Sequence, residues 1–292
     1  MRLIRFLAVL IILGGAAGWF LTRPQPVDAA LFAGLTPDPV NGAYVFAAAG
    51  CASCHGTAEG PDDLMAGGKR FASDFGTFVA PNISSDTTHG VGGWSDLDLA
   101  SSIMRGVGQD GAHLYPAFPY TAYTKARPQD VADLIAYMRT LPASDRASEP
   151  HELAFPYTIR AGIGLWKALY LDQDWVITTT DPQLERGRYL VEALGHCAEC
   201  HTPRDALGGL VQAQLMGGAP NPSGDGRIPN ITPAALDWSA EEIAIYLESG
   251  FTPEFDVAGG TMAEVIANTA KLTEDDRMAI AAYLKALPPV TD

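Results

Sequence analysis

Positive charge is scarce in this chain. Its 292 residues include only 19 lysines and arginines against 34 aspartates and glutamates, which gives a formal net charge of −15. Nucleic acid is a polyanion, so it is a poor partner for this chain and we expect none. The composition is otherwise globular, with 47% hydrophobic and 18% charged residues. The length suits one large or two ordinary domains.

Cysteine is scarce too, and none is left for a structural disulfide, because all four cysteines fall in two C-x-x-C-H motifs. Residues 51–55 are CASCH and residues 197–201 are CAECH. This spacing is typical of haem c attachment, in which each thiol forms a thioether with a haem vinyl group and the histidine ligates the iron. We therefore expect two covalently attached haem c groups. The predicted attachment and proximal-ligand residues are Cys51, Cys54 and His55 in the first motif and Cys197, Cys200 and His201 in the second.

Two C-x-x-C pairs could instead form a four-cysteine zinc site or a redox-active dithiol. A zinc site does not need a histidine directly after each pair. A thioredoxin-like dithiol has one motif in a βαβ pattern, whereas this chain has two motifs in helical surroundings. Both alternatives are therefore weaker, and the predicted chemistry is that of haem iron.

The N-terminus has the features of an export or anchoring segment. Arg2 and Arg5 precede an apolar run that extends from Phe6 to Leu21. The length of this run falls between the core of a signal peptide and a comfortable membrane span. Residues 1–30 are therefore predicted to be a signal-anchor or a signal peptide, with the uncleaved anchor favoured. Both alternatives export the rest of the chain to the periplasmic side of the bacterial inner membrane, which fits covalent haem attachment.

An internal repeat divides the chain. The offset between the two haem motifs is 197 − 51 = 146, and the same offset relates Lys125 to Lys271 (271 − 125 = 146). Two copies of this length are whole domains. The prediction is therefore two domains at 31–142 and 182–292, joined by an apolar linker at 143–181 that packs across both. Further pairs of matching segments are Pro81-Asn82-Ile83 with Pro229-Asn230-Ile231, and Trp94-Ser95 with Trp238-Ser239.

The predicted fold class is mainly α. Near the end of each copy, apolar residues recur at i, i+3, i+4 and i+7, the pattern of a half-buried helix. They are Leu134, Tyr137, Met138 and Leu141 in the first copy and Ile280, Tyr283, Leu284 and Leu287 in the second. Thr273 is predicted to cap the last helix, and Ser239 to form a capping box with Glu242. Further helices are predicted ahead of the haem motifs, at residues 40–49 and 184–194.

A low-spin haem electron carrier usually has a methionine as its sixth iron ligand. Met262 follows His201 at an offset of 262 − 201 = 61, and its position beside Gly259 and Gly260 predicts a loop able to approach the iron. Met262 is therefore the predicted axial ligand of the second haem. Met216 is a weaker candidate, because its offset from the same histidine is only 216 − 201 = 15.

The first copy lacks a methionine at the corresponding place. Residues 115–120 are YPAFPY, and Phe118, at an offset of 118 − 55 = 63 from His55, cannot ligate iron. Three outcomes stay open: His113 is the sixth ligand, another methionine (Met65 or Met104) takes that role, or the iron is five-coordinate or water-ligated. For His113, the alternative to iron ligation is a hydrogen bond to a haem propionate or to loop backbone.

With these motifs, the chain resembles the dihaem and trihaem cytochrome c subunits that accompany periplasmic alcohol, aldehyde and gluconate dehydrogenases. The resemblance covers about residues 38–290 and rests on the haem motifs, the two Pro-Asn-Ile segments and residues 113–117 (HLYPA). It implies class I cytochrome c domains, membrane association and electron passage from a dehydrogenase towards quinone or a terminal oxidase. The Pro-Ala-Met-Pro-Tyr segment usual in that family is Pro-Ala-Phe-Pro-Tyr here, a departure at Phe118.

Two functions are consistent with the sequence. The first is a dihaem c-type cytochrome that transfers electrons in the periplasm, from a dehydrogenase or respiratory donor towards an acceptor such as a cytochrome complex or oxidase. The alternative is a peroxidase-like dihaem enzyme with an open catalytic first haem, which the missing methionine supports. No acid/base pair is evident beside Phe118, and this counts against the enzyme.

Overall fold

The computed structural model of the chain describes residues 2–57, 63–222, 224 and 226–291. Helices predominate among its regular elements, and the strands form one three-stranded and one two-stranded antiparallel sheet. The helices are α1 Arg2–Thr22, α2 Pro39–Ala48, α3 Cys51–His55, α4 Asp96–Arg105, α5 Tyr120–Tyr123, α6 Pro128–Met138, α7 Ala161–Tyr170, α8 Pro182–Arg188, α9 Ala198–His201, α10 Ala240–Ser249, α11 Thr261–Thr269 and α12 Glu274–Ala286. The strands are β1 Arg70–Ser73, β2 Gly76–Val79, β3 Glu152–Leu153, β4 Ala219–Pro220 and β5 Arg227–Ile228.

Helix α1 extends beyond the apolar run from which it was predicted. It has 21 residues, and its most apolar window has a mean hydropathy of 2.1. At 1.5 Å per residue, a helix of this length is roughly 30 Å long, which matches the hydrocarbon core of a bilayer. By length and composition it can cross a membrane, although a signal sequence has the same features.

In each domain, the first and last helices cross at a glycine. Gly42 of α2 lies against α6, and Gly187 of α8 lies against α12. A Cβ atom on either glycine would stand 2.0 Å from a backbone oxygen, that of Asp133 or that of Ala279. Only glycine therefore allows this close approach of the two backbones.

The predicted apolar faces of the last helices and the two predicted helix caps, at Thr273 of α12 and Ser239 of α10, are present. All eight residues of these faces are buried except Tyr137, which is half-buried. The Thr273 hydroxyl accepts the backbone N–H of Asp276 at 3.2 Å, and Ser239 and Glu242 form the predicted capping box. The helix predicted at 184–194 begins as α8 and continues to residue 194 in a wider, π-type turn.

The two domains meet across an interface in which one set of contacts occurs twice, once in each direction. From the start of each domain, a tyrosine hydroxyl reaches the last helix of the other domain. There it donates to an aspartate and accepts the backbone N–H of the N-cap residue. One set is Tyr44, Asp276 and Thr273, and the other is Tyr189, Asp130 and Arg127. This reciprocity is that of an isologous dimer interface, here formed within one chain.

The segment between the domains contacts both of them. Its strand β3 pairs with β2 of the first domain. From α7, the Trp166 indole N–H donates to Leu207 O at 3.0 Å, and the Tyr170 hydroxyl donates to the Asp205 carboxylate at 2.7 Å, both in the second domain. The segment therefore helps to hold the two domains in a fixed relation.

We expect Gly187→Ala to lower the free energy of unfolding by about 1–3 kcal/mol, because the added methyl group overlaps Ala279 O and forces α8 away from α12. Denaturant unfolding of the detergent-solubilised holoprotein, followed by circular dichroism, measures the change. Gly162→Ala in α7 is the matched control, since a Cβ atom there meets nothing within 4 Å. Equal stability of the two variants would contradict a close-packed crossing.

Candidate haem-attachment sites

Three of the four cysteines lie in the short helices α3 and α9, Cys197 is the N-cap residue of α9, and none of the four is in a disulfide. Burial raises the pKa of the Cys51 and Cys197 thiols to about 12. A thiol with so high a pKa is almost fully protonated at neutral pH, which disfavours a redox-active dithiol. In the described part of the chain, no three His, Cys, Asp or Glu side chains are grouped to hold a metal ion, so a four-cysteine zinc site gains no support.

Both motif histidines are oriented by a proline carbonyl. His55 Nδ1 is 2.9 Å from Pro81 O, and His201 Nδ1 is 2.8 Å from Pro229 O. A bond from Nδ1–H to a carbonyl selects the tautomer with Nε2 free to ligate a metal. Burial lowers the pKa of both imidazoles, which favours the neutral form that ligation requires. Two thiols and one oriented imidazole per motif fit the attachment of haem c.

The asparagine after each of these prolines fastens its loop. The Asn82 side-chain amide donates to Ser144 O at 2.9 Å, and that of Asn230 donates to Val290 O at 2.8 Å. The Asn230 carbonyl oxygen also accepts the backbone N–H of Thr232 at 2.8 Å. Each asparagine thus ties the histidine-holding loop to the segment that follows the last helix of its domain. Asn82 is 2% exposed, which agrees with this structural role.

Phe118 and Met262 follow equivalent turns in the two domains. A tight turn, closed by one β-bridge, precedes each of them. The two bridges are Val107–His113 and Phe251–Val257. The offset from His113 to Val257 is 257 − 113 = 144, and the same offset relates Phe118 to Met262 (262 − 118 = 144). The structure therefore supports the correspondence that the sequence repeat indicated only approximately.

The surroundings of these two residues differ. Met262 is partly buried against the core, in the first turn of α11 and not in the loop where the sequence analysis placed it. The loop ends at Gly260, which is the N-cap residue of α11. The Phe118 ring packs edge-on against Tyr123, with ring centroids 5.7 Å apart. At corresponding positions, the first domain thus has an aromatic ring packed on another ring, and the second domain has a thioether side chain.

His113 is buried at the end of helix α1. Its Nε2 atom lies 2.7 Å from Thr22 O, and its Nδ1 atom has no hydrogen-bond partner among the residues described. Burial lowers the pKa of His113, so the neutral ring is favoured. Because Nδ1 is buried, an iron ligand bond would have to come from Nε2. That nitrogen is already bonded to the backbone carbonyl of Thr22.

Met65 and Met216 are equivalent residues in a buried loop. They are 1% and 0% exposed. Their backbone oxygens accept the N–H groups of Ile83 and Ile231 at 2.9 and 3.0 Å. This shared position supports a structural role for both methionines.

The two attachment motifs meet at the domain interface, an arrangement for which the sequence gives little indication. The third residue of each motif contacts the other domain. The Asn268 side chain of α11 donates to the Ser53 hydroxyl at 2.7 Å, and the Thr121 hydroxyl of α5 donates to Glu199 at 2.6 Å. The only signal in the sequence is a polar residue at this position in both motifs, and C-x-x-C-H does not specify its partner.

The polar contacts continue beside the first motif. Lys69 Nζ donates to Ser53 O at 2.9 Å and to the Glu264 carboxylate of α11 at 2.6 Å. His196, directly before the second motif, lies 3.3 Å through Nε2 from Ala49 O. Its φ is 42°, whereas the equivalent residue of the first domain is glycine. The segments that precede the two motifs are thus in contact.

Comparison with known proteins agrees with the geometry. The cytochrome c family matches residues 39–142 and 184–288. A dihaem cytochrome c-type protein of Cereibacter sphaeroides is 53% identical over 285 residues, with 96% of each chain covered. The fructose dehydrogenase cytochrome subunit of Gluconobacter japonicus is 37% identical over 276 residues, which are 91% of this chain and 56% of that subunit. The gluconate 2-dehydrogenase cytochrome c subunit of Pantoea cypripedii is 32% identical, with coverages of 88% and 62%.

We expect Asn230→Ala to destabilise the second domain by about 1–3 kcal/mol, because Val290 O loses its donor and the Thr232 N–H loses its acceptor. Asn230→Asp is the paired variant: it retains the acceptor but turns a carboxylate oxygen instead of the amide donor towards Val290 O, so it should also destabilise the domain. Denaturant unfolding followed at the Soret band measures both. Unchanged stability of Asn230→Asp would show that the bond to Val290 O does not hold the loop.

Proposed function

Because the chain belongs to the cytochrome c family and carries two haem c attachment sites, we propose that it is a membrane-anchored electron carrier on the periplasmic side of the bacterial inner membrane. When bound, each haem supplies a one-electron redox centre. The cysteines of each motif would hold the group, and His55 and His201 would be its iron ligands. The observation that carries the proposal is the packing of both complete motifs against one shared interface, an arrangement suited to passing electrons within the chain.

The proposed electron donor is a dehydrogenase, and the proposed acceptor is a cytochrome complex or a terminal oxidase. Relatives that match most of this chain are named as cytochrome subunits of fructose, alcohol and gluconate dehydrogenases. The chain spans 56–62% of the length of these subunits. Helix α1, which is long and apolar enough to cross a bilayer, is the proposed anchor.

Met262 is the proposed axial ligand of the second iron. Met262 and Phe118 follow equivalent bridged turns in the two domains. Of these two residues, only methionine can ligate iron. For His113, the bond from Nε2 to Thr22 O favours a structural role over iron ligation. Because Phe118 stands at the position that corresponds to Met262, we also propose that the first iron lacks a methionine ligand.

The enzyme alternative rests on the same observation at Phe118. An iron without a strong sixth ligand could react with peroxide. The spectrum and spin state of the ferric holoprotein, combined with redox titration and a peroxide assay, distinguish the two functions. Two reversible one-electron couples without peroxide turnover would establish the carrier, whereas rapid turnover at a high-spin first haem would establish the enzyme.

We expect Met262→Ala to lower the reduction potential of the second haem and to abolish its methionine–iron band in the near infrared, because a thioether ligand favours Fe(II). The reciprocal variant, Phe118→Met, should create a second band of this kind, since the two positions are equivalent. Near-infrared absorption and potentiometric titration measure both changes.

Phe118→Leu is the control, because it alters the size of the side chain without supplying a ligand. An unchanged spectrum in Met262→Ala would reject Met262 as the ligand. A second band in Phe118→Leu would reject the interpretation of the Phe118→Met result.

A further inference from the structure

Helix α7 turns its charged side chain towards the protein and its apolar side chains outward, the opposite of a helix on a water-exposed surface. Its sequence, AGIGLWKALY, contains one charged residue, Lys167. That ammonium group points inward: Nζ donates to Arg105 O at 2.6 Å and to Gly106 O at 2.7 Å, and lies 4.5 Å from the centre of the Tyr120 ring. It therefore binds the C-terminal carbonyls of α4, a favourable position for a cation.

The outward side of α7 is entirely apolar. Leu165 is 58% exposed and Leu169 is 61% exposed. The other exposed residues of the helix are Ala161, Gly162 and Ala168. A surface helix of a water-soluble domain carries polar residues on this side, so exposed apolar area of this kind indicates contact with a partner or a membrane.

Neighbouring segments enlarge this apolar surface. Phe155 and Ile159, on the turns that lead into α7, are 80% and 52% exposed. Leu207, whose carbonyl accepts the Trp166 indole N–H, is 59% exposed. Arg160 is the N-cap residue of α7, so a cation stands at one border of the surface.

The position of α7 beside the proposed membrane anchor, α1, points to the lipid bilayer as the partner of this surface. The two helices pack together. The contact is close at Gly164, where a Cβ atom would stand 2.0 Å from Thr22 O, and Thr22 is the last residue of α1. The same carbonyl is the one that His113 holds. The end of a helix that crosses a bilayer marks the bilayer surface, so α7 lies at that level.

We propose that the exposed side of α7, with Phe155 and Ile159, lies in the surface of the lipid bilayer as a second membrane contact beside α1. The proposal rests on the proposed anchoring by α1. An in-plane helix with an apolar side towards the lipid and a basic residue near the headgroups is a recognised mode of membrane binding. Together the two contacts would fix the orientation of the first domain with respect to the membrane.

The proposal is tested by measuring how fast introduced cysteines react with a maleimide when one copy of the protein is embedded in each bilayer nanodisc. Haem attachment consumes all four native cysteines, so Leu165→Cys and Leu169→Cys each provide a single free thiol in the full-length holoprotein. A charged, membrane-impermeant maleimide is the probe. Ile245→Cys on α10 is the matched control, since Ile245 is 56% exposed on a helix of the second domain. We expect both α7 thiols to react about tenfold or more slowly than the control thiol, because lipid covers them.

Equal reaction rates, with the protein still bound to the nanodisc, would overturn the membrane contact and leave the anchor intact. Elution of the protein free of nanodiscs would instead reject the anchor, and the inference with it. Protection that arises only after a dehydrogenase is added would assign the surface to a protein partner and overturn the proposal. An unchanged visible spectrum in each variant verifies that the haem sites are intact.

Discussion

The structure depends on one local constraint: two thiols and an imidazole must be presented together from a short helical segment, with the imidazole held in one tautomer. The C-x-x-C-H spacing places the thiols and the imidazole together. A proline carbonyl holds the tautomer of both His55 and His201. Because a carbonyl in a mobile loop would not hold a ring, the next residue ties each loop down. Asn82 and Asn230 do so by bonding to the chain beyond the last helix of each domain. The repeated Pro-Asn-Ile segments therefore serve the motifs that precede them.

Duplication gave the protein more than a second haem site. The reciprocal bonds of Tyr44 and Tyr189 reproduce, within one chain, the interface of a symmetric dimer. The same symmetry brings the third residue of each attachment motif, Ser53 and Glu199, against the other domain. The copies differ at the position of the proposed methionine ligand, where the first domain has Phe118 and the second has Met262. The scaffold is thus shared, while the chemistry of the two irons is free to diverge.

The first domain is also specialised through its turn at His113. In the second domain the equivalent Val257 is 61% exposed, whereas His113 is buried against the end of α1. Lys167 draws α7 onto the same region by binding the last carbonyls of α4. One domain therefore carries the contacts with the N-terminal helix, and the other keeps the corresponding surface open. The contacts with α1 therefore break the symmetry of the two domains.

The amino-acid sequence by itself determined the two C-x-x-C-H motifs, the apolar faces of the last helices and the caps at Thr273 and Ser239, because each depends on residues close together along the chain. The recurrence of such short segments determined the repeat. The sequence could not determine partners distant along the chain. Gly42 and Gly187 have no local signature, since their role comes from a backbone oxygen of another helix. Likewise, the bond between His113 and Thr22 exists only once α1 is placed. The tertiary structure decided which helices touch, how the two motifs meet and which side of α7 is apolar and exposed, since these follow from packing across the whole molecule.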